Sequence, residues 1–214
     1  MFVRLGGVAM LQRTFLGTDE PRIDDTARFE RIDLGQGSWV EIARSWLHGA
    51  DTLLDSLADD VDWRCGRRWM YDRMVDDPRL SRLYRRDDPV PHPSFPMIRA
   101  ALVDRYAVAF GGFGLNYYRD GRDSVAFHRD RELRHLNDTL IAIVTLGATR
   151  PFHLRPLGGG RSIDLRPGSG DLLVMGGRCQ TAWEHCVPKT ASAGPRISVT
   201  LRWASKPSDR LMPA

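Results

Sequence analysis

From residue 108 onward the chain is a succession of short apolar runs cut by turn residues, and this pattern constrains its fold more than any other feature. Phe113–Tyr118 and Ser124–His128 flank the turn Arg119-Asp120-Gly121-Arg122-Asp123. Thr139–Leu146, Pro151–Leu157, Arg161–Leu165, Asp171–Met175, a run around His185 and Arg196–Trp203 follow. Runs of this length, rich in β-branched and aromatic residues and bounded by Gly, Pro and Asp, read as strands. The eight runs fit a double-stranded β-helix, or jelly-roll, whose mouth can hold a metal through ligands from separate strands.

The first half reads differently. Residues 1–37 alternate short apolar clusters with Gly, Pro and Asp, which suggests irregular structure with a strand or two. Met1–Phe15 has Arg4 and a short apolar patch but no signal-peptide core or cleavage pattern, and is expected to be a tail or a first strand. Ser38 and Glu41 fit a capping box, and Trp39, Ile42, Ala43, Trp46, Leu47, Leu53, Leu54 and Leu57 fall at helical spacing, so a helix is expected to open at Ser38. Residues 63–77 have no clean period. Asp87–Pro96 contains Pro89, Pro91, Pro93 and Pro96 and is expected to connect rather than to coil, with a second helix over Met97–Ala107. The expected fold class is α+β, mainly β: a jelly-roll core buttressed by N-terminal helices. Its organisation is one domain over 1–214, with a helical and lid segment at 1–107 and the core at 108–205.

Size and composition agree. A chain of 214 residues, 42% apolar and 27% charged, can bury a full core as a soluble protein. Lys189 and Lys206 are its only lysines, so the pI of about 9.2 rests on arginine. Arginine suits bidentate phosphate recognition, although a GC-rich genome would give the same bias. Cys65, Cys179 and Cys186 are an odd number in no close-spaced pair, which indicates neither a disulfide framework nor a CxxC zinc site and fits a reducing cytoplasm. No apolar run approaches the roughly 20 residues that span a bilayer. A monomer is expected.

The candidate chemistry lies in His128-Arg129-Asp130 and in His185 of Trp183-Glu184-His185. On a strand, residues two apart share a face, so His128 and Asp130 can both point inward. His185 must then come from a distant strand. Two imidazoles and one carboxylate form a facial triad suited to Fe(II), leaving open positions for a co-substrate and O2. His48, His92, His135 and His153 have no comparable partners.

Arg196 and Arg202 lie six apart in an apolar alternating run, hence on one face. Two inward arginines are costly unless anions meet them. A dicarboxylate offers two anionic ends, and the Asp130 carboxylate is another partner; ordinary edge-strand arginines are the plainer alternative. Asn116 and Tyr118 share a face and offer an amide and a phenol to the same ligand. Gly170-Asp171 reads as turn chemistry. Cys179 and Cys186, near His185, are expected to pack.

Together, Asn116-Tyr-Tyr118, His128-Arg-Asp-Arg-Glu132, Gly170-Asp-Leu-Leu-Val-Met-Gly-Gly177, Trp183-Glu-His185 and Arg196-Ile-Ser-Val-Thr-Leu-Arg202 resemble the AlkB family of Fe(II)/2-oxoglutarate-dependent dioxygenases, which repair alkylated nucleic-acid bases. The resemblance covers roughly residues 110–203. It implies that His128, Asp130 and His185 bind iron. Arg196 would meet the distal carboxylate of 2-oxoglutarate, with Tyr118 and Ser198, and Arg202 with Asn116 would face the iron-proximal end. Some relatives carry Asn where this chain has Ser198, and the passage from His185 to Arg196 is shorter than in some members. Glu132 would contact the exocyclic amine of the damaged base.

The implied reaction removes the alkyl group from 1-methyladenine or 3-methylcytosine in DNA, and by extension RNA, releasing formaldehyde, succinate and CO2 in repair of alkylation damage. The implied partner is therefore a nucleic acid and not a membrane. Trp63–Arg73 would then act as a lid, with Trp69 and Tyr71 stacking on an extruded base and Arg64, Arg67, Arg68 and Arg73 meeting phosphates. Packing roles for Trp69 and Tyr71 are the alternative. An oxygenase acting on a protein or small molecule would keep the same iron site, whereas a non-catalytic binder would have no use for it.

Overall fold

The computed structural model describes residues 19–70 and 72–205. The N-terminal stretch Met1–Phe15 lies outside the described residues. The chain runs β1 (Arg22–Ile23), β2 (Phe29–Gly35), β3 (Ser38–Ala43), β4 (Leu47–His48), α1 (Ala50–Asp60), β5 (Arg64–Met70), β6 (Arg73–Tyr84), α2 (Ser94–Tyr106), β7 (Phe113–Tyr118) and β8 (Val125–His128). It continues through β9 (Thr139–Gly147), β10 (His153–Pro156), β11 (Ile163–Asp164), β12 (Leu172–Gly177), α3 (Cys179–Ala182), β13 (Trp183–Val187) and β14 (Arg196–Ala204).

Among the described residues, eight strands form one sheet in the order β2-β3-β12-β9-β14-β7-β6-β5, and four form a second in the order β11-β10-β13-β8. Strands β1 and β4 pair by themselves. The pairings are antiparallel throughout. This is the expected jelly-roll.

Period-two alternation decides what each face of the large sheet carries. Leu140, Ala142, Val144 and Leu146 of β9, with Ile197, Val199 and Leu201 of β14, pack against Leu53, Leu54 and Leu57 of α1 and Phe95, Ile98 and Leu102 of α2. Ile141 and Ile143 project to the opposite face and join Tyr118, Phe152, Leu154 and Met175 between the two sheets. Each fully buried Leu or Ile in these layers contributes about 1.5–3 kcal/mol. The alternation leaves Arg196, Ser198, Thr200 and Arg202 on the inner face of β14, where the site is built.

The helix expected from Ser38 is not there. Ser38–Ala43 is strand β3, held between β2 and β12, and the helix begins at Ala50 after Gly49 in the left-handed conformation (φ 67°). A strand buried on both faces carries a continuous apolar run, which cannot be told from a buried helix by period alone. The downstream leucines are helical, and Ser45 at φ 51° separates the two segments. The Trp39 ring lies over Gly176 of the neighbouring strand, where a Cβ would stand 2.0 Å from the indole. Glu41 caps nothing; its carboxylate takes bonds from Tyr106 Oη at 2.7 Å, Arg31 at 2.7 Å and Arg105 at 3.3 Å.

Residues 63–77 lack a period because β5 and β6 form an edge hairpin with a register shift between Cys65 and Arg67. The second helix starts at Ser94, earlier than Met97, because Pro96 falls in its first turn, where no backbone N–H is needed. It ends at Ala107 in the left-handed conformation (φ 53°). No described helix is long and apolar enough to cross a membrane.

Candidate metal centre and co-substrate pocket

His128 ends β8, and His185 sits directly opposite it on β13. Asp130 is not on the strand. It lies in the turn that follows, so turn geometry rather than strand periodicity brings its carboxylate back to His128. Its backbone N–H donates to Gln180 Oε1 at 2.8 Å, and its carbonyl accepts from Leu133 and Arg134. The ligand atoms of His128, Asp130 and His185 all lie within 4.8 Å of one another. His128 Nε2 stands 3.8 Å from Asp130 Oδ1, and the two imidazole centroids are 4.3 Å apart. Phe152 stacks on His185 at 5.5 Å and 13°.

Their protonation states suit a cation. Burial pushes His185 down to about 3, with His128 adding to the effect, so its ring is neutral. Burial also lowers His128, against the Ala126 carbonyl and Asp130. That carbonyl lies 2.9 Å from His128 Nδ1 and can only accept, which makes Nδ1 the donor and leaves Nε2 a lone pair. Burial alone would raise Asp130, but the Arg202 guanidinium, by its charge and its hydrogen bond, holds the carboxyl below the usual range. The buried Nδ1 of His185 has no hydrogen-bond partner. Two neutral imidazoles and a carboxylate, desolvated and converging, fit the donor set of an Fe(II) facial triad.

The cluster opens into a cavity of about 550 Å³ between the sheets. Asn116, Tyr118, Ser198 and Arg202 line it, each projecting from the inner face of β7 or β14. Tyr118 pairs with Arg196 and Asn116 with Ser198 in register. Arg202 Nε donates to Asp130 Oδ2 at 2.5 Å, the partner that the strand face allowed. Arg196 is 1% exposed; its Nη2 donates to Thr145 Oγ1 at 3.2 Å, while Nε and Nη1 are buried without partners. Its guanidinium lies 5.3 Å from the Tyr118 ring centroid. Burial brings its pKa down to about 10. A buried cation with two idle donor nitrogens is a site for an anion.

At the mouth, Glu132 is exposed and lines the cavity with Arg67 and Arg131. Arg73 is exposed and is not among the lining residues. The side chain of Trp69 and all of Tyr71 lie outside the described residues, as does the side chain of Arg68. Arg64 pairs with Asp62. The remaining histidines have local contacts: His48 with Asp24, His92 with Ser94, His153 with Asp164 and His135 with Arg134. Gly170 turns at φ 80°, and Asp171 caps Ser45 and Gly168 and pairs with Arg44. Cys179 and Cys186 are buried, and burial pushes the Cys179 thiol to about 12, so both pack.

Four residues of the site went unmarked in sequence. Arg79 Nε donates to Asn116 Oδ1 at 2.8 Å and faces the triad from β6. Thr145, Phe152 and Gln180 support Arg196, His185 and Asp130 respectively. Strand alternation could have placed Thr145 on the inner face. Nothing local distinguishes the other three, which reach the site only through long-range pairing.

Comparison with known proteins places the chain. Residues 71–202 match the 2OG-Fe(II) oxygenase superfamily. The chain is 30% identical over 211 residues to the alpha-ketoglutarate-dependent dioxygenase alkB homolog 3 of Mus musculus, an alignment covering 86% of this chain and 73% of that protein. The Homo sapiens protein of the same name matches at the same identity and coverage. DNA oxidative demethylase ALKBH2 of Arabidopsis thaliana is 26% identical, over 88% of this chain and 74% of that one. Among solved structures, a prolyl hydroxylase of Trichoplax adhaerens in complex with a hypoxia inducible factor peptide shares the fold with a TM-score of 0.59. It is 11% identical, over 77% of this chain and 83% of that one. Identity at this level over most of the length, on a superfamily match spanning more than half the chain, settles the relationship: the chain belongs to the AlkB-type family of Fe(II)- and 2-oxoglutarate-dependent dioxygenases.

Proposed function

We propose that the protein removes N-alkyl groups from bases of the 1-methyladenine and 3-methylcytosine type in DNA, with RNA a second polymer substrate, and so acts in repair of alkylation damage. The observation that carries the 2-oxoglutarate half of this reading is Arg196, a buried guanidinium with two unpartnered nitrogens, set on the strand face that also lines the cavity beside His128, Asp130 and His185; the likeness to alkB homolog 3 carries the base half.

His128, Asp130 and His185 would hold the metal, and Arg196 the distal carboxylate of 2-oxoglutarate, with Tyr118 and Ser198 beside it. With 2-oxoglutarate and O2, bound Fe(II) supplies oxidation of an N-alkyl carbon, with release of succinate, CO2 and formaldehyde. Arg202 keeps Asp130 ionised and turned toward the histidines. Asn116, held by Arg79, orients the near end of the co-substrate. Ile141, Ile143, Phe152 and Val187 line the cavity with apolar surface and limit water at the metal. A base in a duplex reaches such a cavity only when flipped out. Glu132 at the mouth would then accept from an exocyclic amine, and the arginines there, with Arg73 further out on the hairpin, would meet the nucleic-acid strand; Trp69 and Tyr71 would stack on the extruded base. The two relatives named as alkB homolog 3, and the one named as a DNA oxidative demethylase, support the substrate class. We read residues 1–214 as one domain acting as a monomer.

The test is anaerobic loading with Fe(II) and 2-oxoglutarate, then air and a 3-methylcytosine oligonucleotide, with methyl loss followed by mass spectrometry and His128→Ala alongside. Demethylation by the parent chain alone upholds the proposal. Iron-dependent succinate formation with no methyl loss would transfer the oxygenase to a protein or small-molecule substrate.

A further inference from the structure

A second buried arginine shares the neighbourhood of Tyr118 with Arg196. Arg150 is 1% exposed and lies 6.0 Å from the Tyr118 ring centroid, so that Tyr118 carries two buried guanidinium neighbours. Its Nη1 donates to the Asp120 carbonyl at 2.9 Å, and its Nη2 to the carbonyls of Asp123 at 3.0 Å and Pro188 at 2.8 Å; Nε has no partner. The nearby carboxylates are already engaged, Asp123 by Arg119 at 2.8 Å and Asp120 by Arg122 at 2.7 Å. Three carbonyl dipoles therefore hold the guanidinium of Arg150; Asp123 and Asp120 favour its charge from a distance, but each is ion-paired with another arginine and neither bonds to Arg150 through its carboxylate among the described residues. Its field reaches Arg196, where it adds to the effect of burial in lowering the guanidinium pKa.

Two like charges buried side by side oppose folding. A structural staple alone would need only donors, which an amide also offers. A charge retained at this position is useful if a negative group sits between or beside the pair. We propose that Arg150 is a positioning residue for the co-substrate, fixing the Asp120–Asp123 turn and the Pro188 loop around Tyr118 and adding its charge to that of Arg196 so that the pair selects a 2-oxo acid with a distal carboxylate. The inference rests on Arg196 binding that carboxylate, as proposed above. Arg150 does not touch the ligand; it acts through Tyr118, the two loops and its field, which persists at short range in a low-dielectric interior.

Steady-state kinetics in varied 2-oxoglutarate, using the full chain loaded with Fe(II), tests this with three variants and with thermal melts of each. Arg150→Gln keeps donors for part of the carbonyl cage and removes the charge. It should raise the KM for 2-oxoglutarate about tenfold, with kcat at saturation within about twofold of the parent. Arg150→Lys keeps the charge but not the planar three-carbonyl arrangement, and its KM should stay within about threefold. An unchanged KM in Arg150→Gln would overturn the proposal. So would an equal KM rise in both variants that tracks lost Tm, which would make Arg150 a staple only. If Arg150→Gln does not fold, Arg150→Lys decides by the same KM limit. Arg196→Met separates the two claims: an unaltered KM there would overturn the co-substrate assignment itself, whereas a raised KM with a silent Arg150→Gln would overturn only the role of Arg150.

Discussion

Arg202 Nε donates to Asp130 Oδ2 at 2.5 Å, tying the end of β14 to the turn after β8 across 72 residues of chain. The other carboxylate oxygen faces His128 Nε2 at 3.8 Å. One oxygen is thus occupied by an arginine and the other is turned toward the imidazoles, an arrangement that presents Asp130 as a one-oxygen ligand with fixed aim. The arginine also counters the tendency of burial to protonate the carboxyl.

Arg202→Gln should therefore weaken Fe(II) binding by about 10–100-fold, the usual cost of losing a group that orients a metal ligand. Anaerobic titration followed by the quenching of intrinsic fluorescence, or by calorimetry with Co(II), measures it. Parent-like affinity would show that Asp130 needs no such support.

Gln180 holds the same residue from the other side, accepting the Asp130 backbone N–H at 2.8 Å while its own amide nitrogen is buried without a partner. Gln180→Leu leaves that N–H unsatisfied in a dry site, costing about 1–3 kcal/mol. The expected outcome is a lower Tm together with weaker metal binding. A loss of stability with unchanged metal affinity would confine Gln180 to a packing role.

Arg196 should trade stability for co-substrate capture. With only the neutral side chains of Thr145 and Tyr118 beside it and no carboxylate partner among the described residues, its buried charge opposes folding of the free protein. Arg196→Met should raise the stability of the metal-free, ligand-free protein by about 1–3 kcal/mol in urea melts. The same variant should lose the Tm increase that 2-oxoglutarate gives the metal-loaded parent. A destabilised variant would mean that the guanidinium is compensated within the protein.

Glu41 gives a pH dependence away from the metal. Burial would raise its carboxyl, but Tyr106, Arg31 and Arg105 outweigh that and hold it below 4.5, its ordinary value. A carboxyl lowered by folding contributes stability that is present above pH 4.5 and lost as pH falls through the folded value. Glu41→Gln should cost about 1–3 kcal/mol at neutral pH, since hydrogen bonds to a charged group are removed. It should also flatten the fall in stability below pH 4.5; parallel pH profiles for parent and variant would contradict this.

Much of the site was legible in the chain because its chemistry is written in residue types at short spacing. Strand alternation alone places Asn116 with Tyr118, and Ser198 with Arg196 and Arg202, on single faces. His128-Arg-Asp130 announces a ligand pair even though Asp130 reaches its place by a turn and not along a strand. The strands from Phe113 to Ala204 were legible because turn residues cut the chain into short β-rich runs, both where apolar and polar faces repeat every two residues and where, as in β9 and β12, they do not. Ser38–Ala43 was not, since a strand covered on both faces loses that repeat and its apolar run matches a helix equally well. Nor could the chain say that Gln180 reaches Asp130, that Phe152 covers His185, that Arg79 holds Asn116, or that Arg150 and Arg196 meet at Tyr118. Those contacts join residues far apart in sequence. They exist only once register between distant strands is set, and burial then removes the water that would otherwise satisfy each group alone.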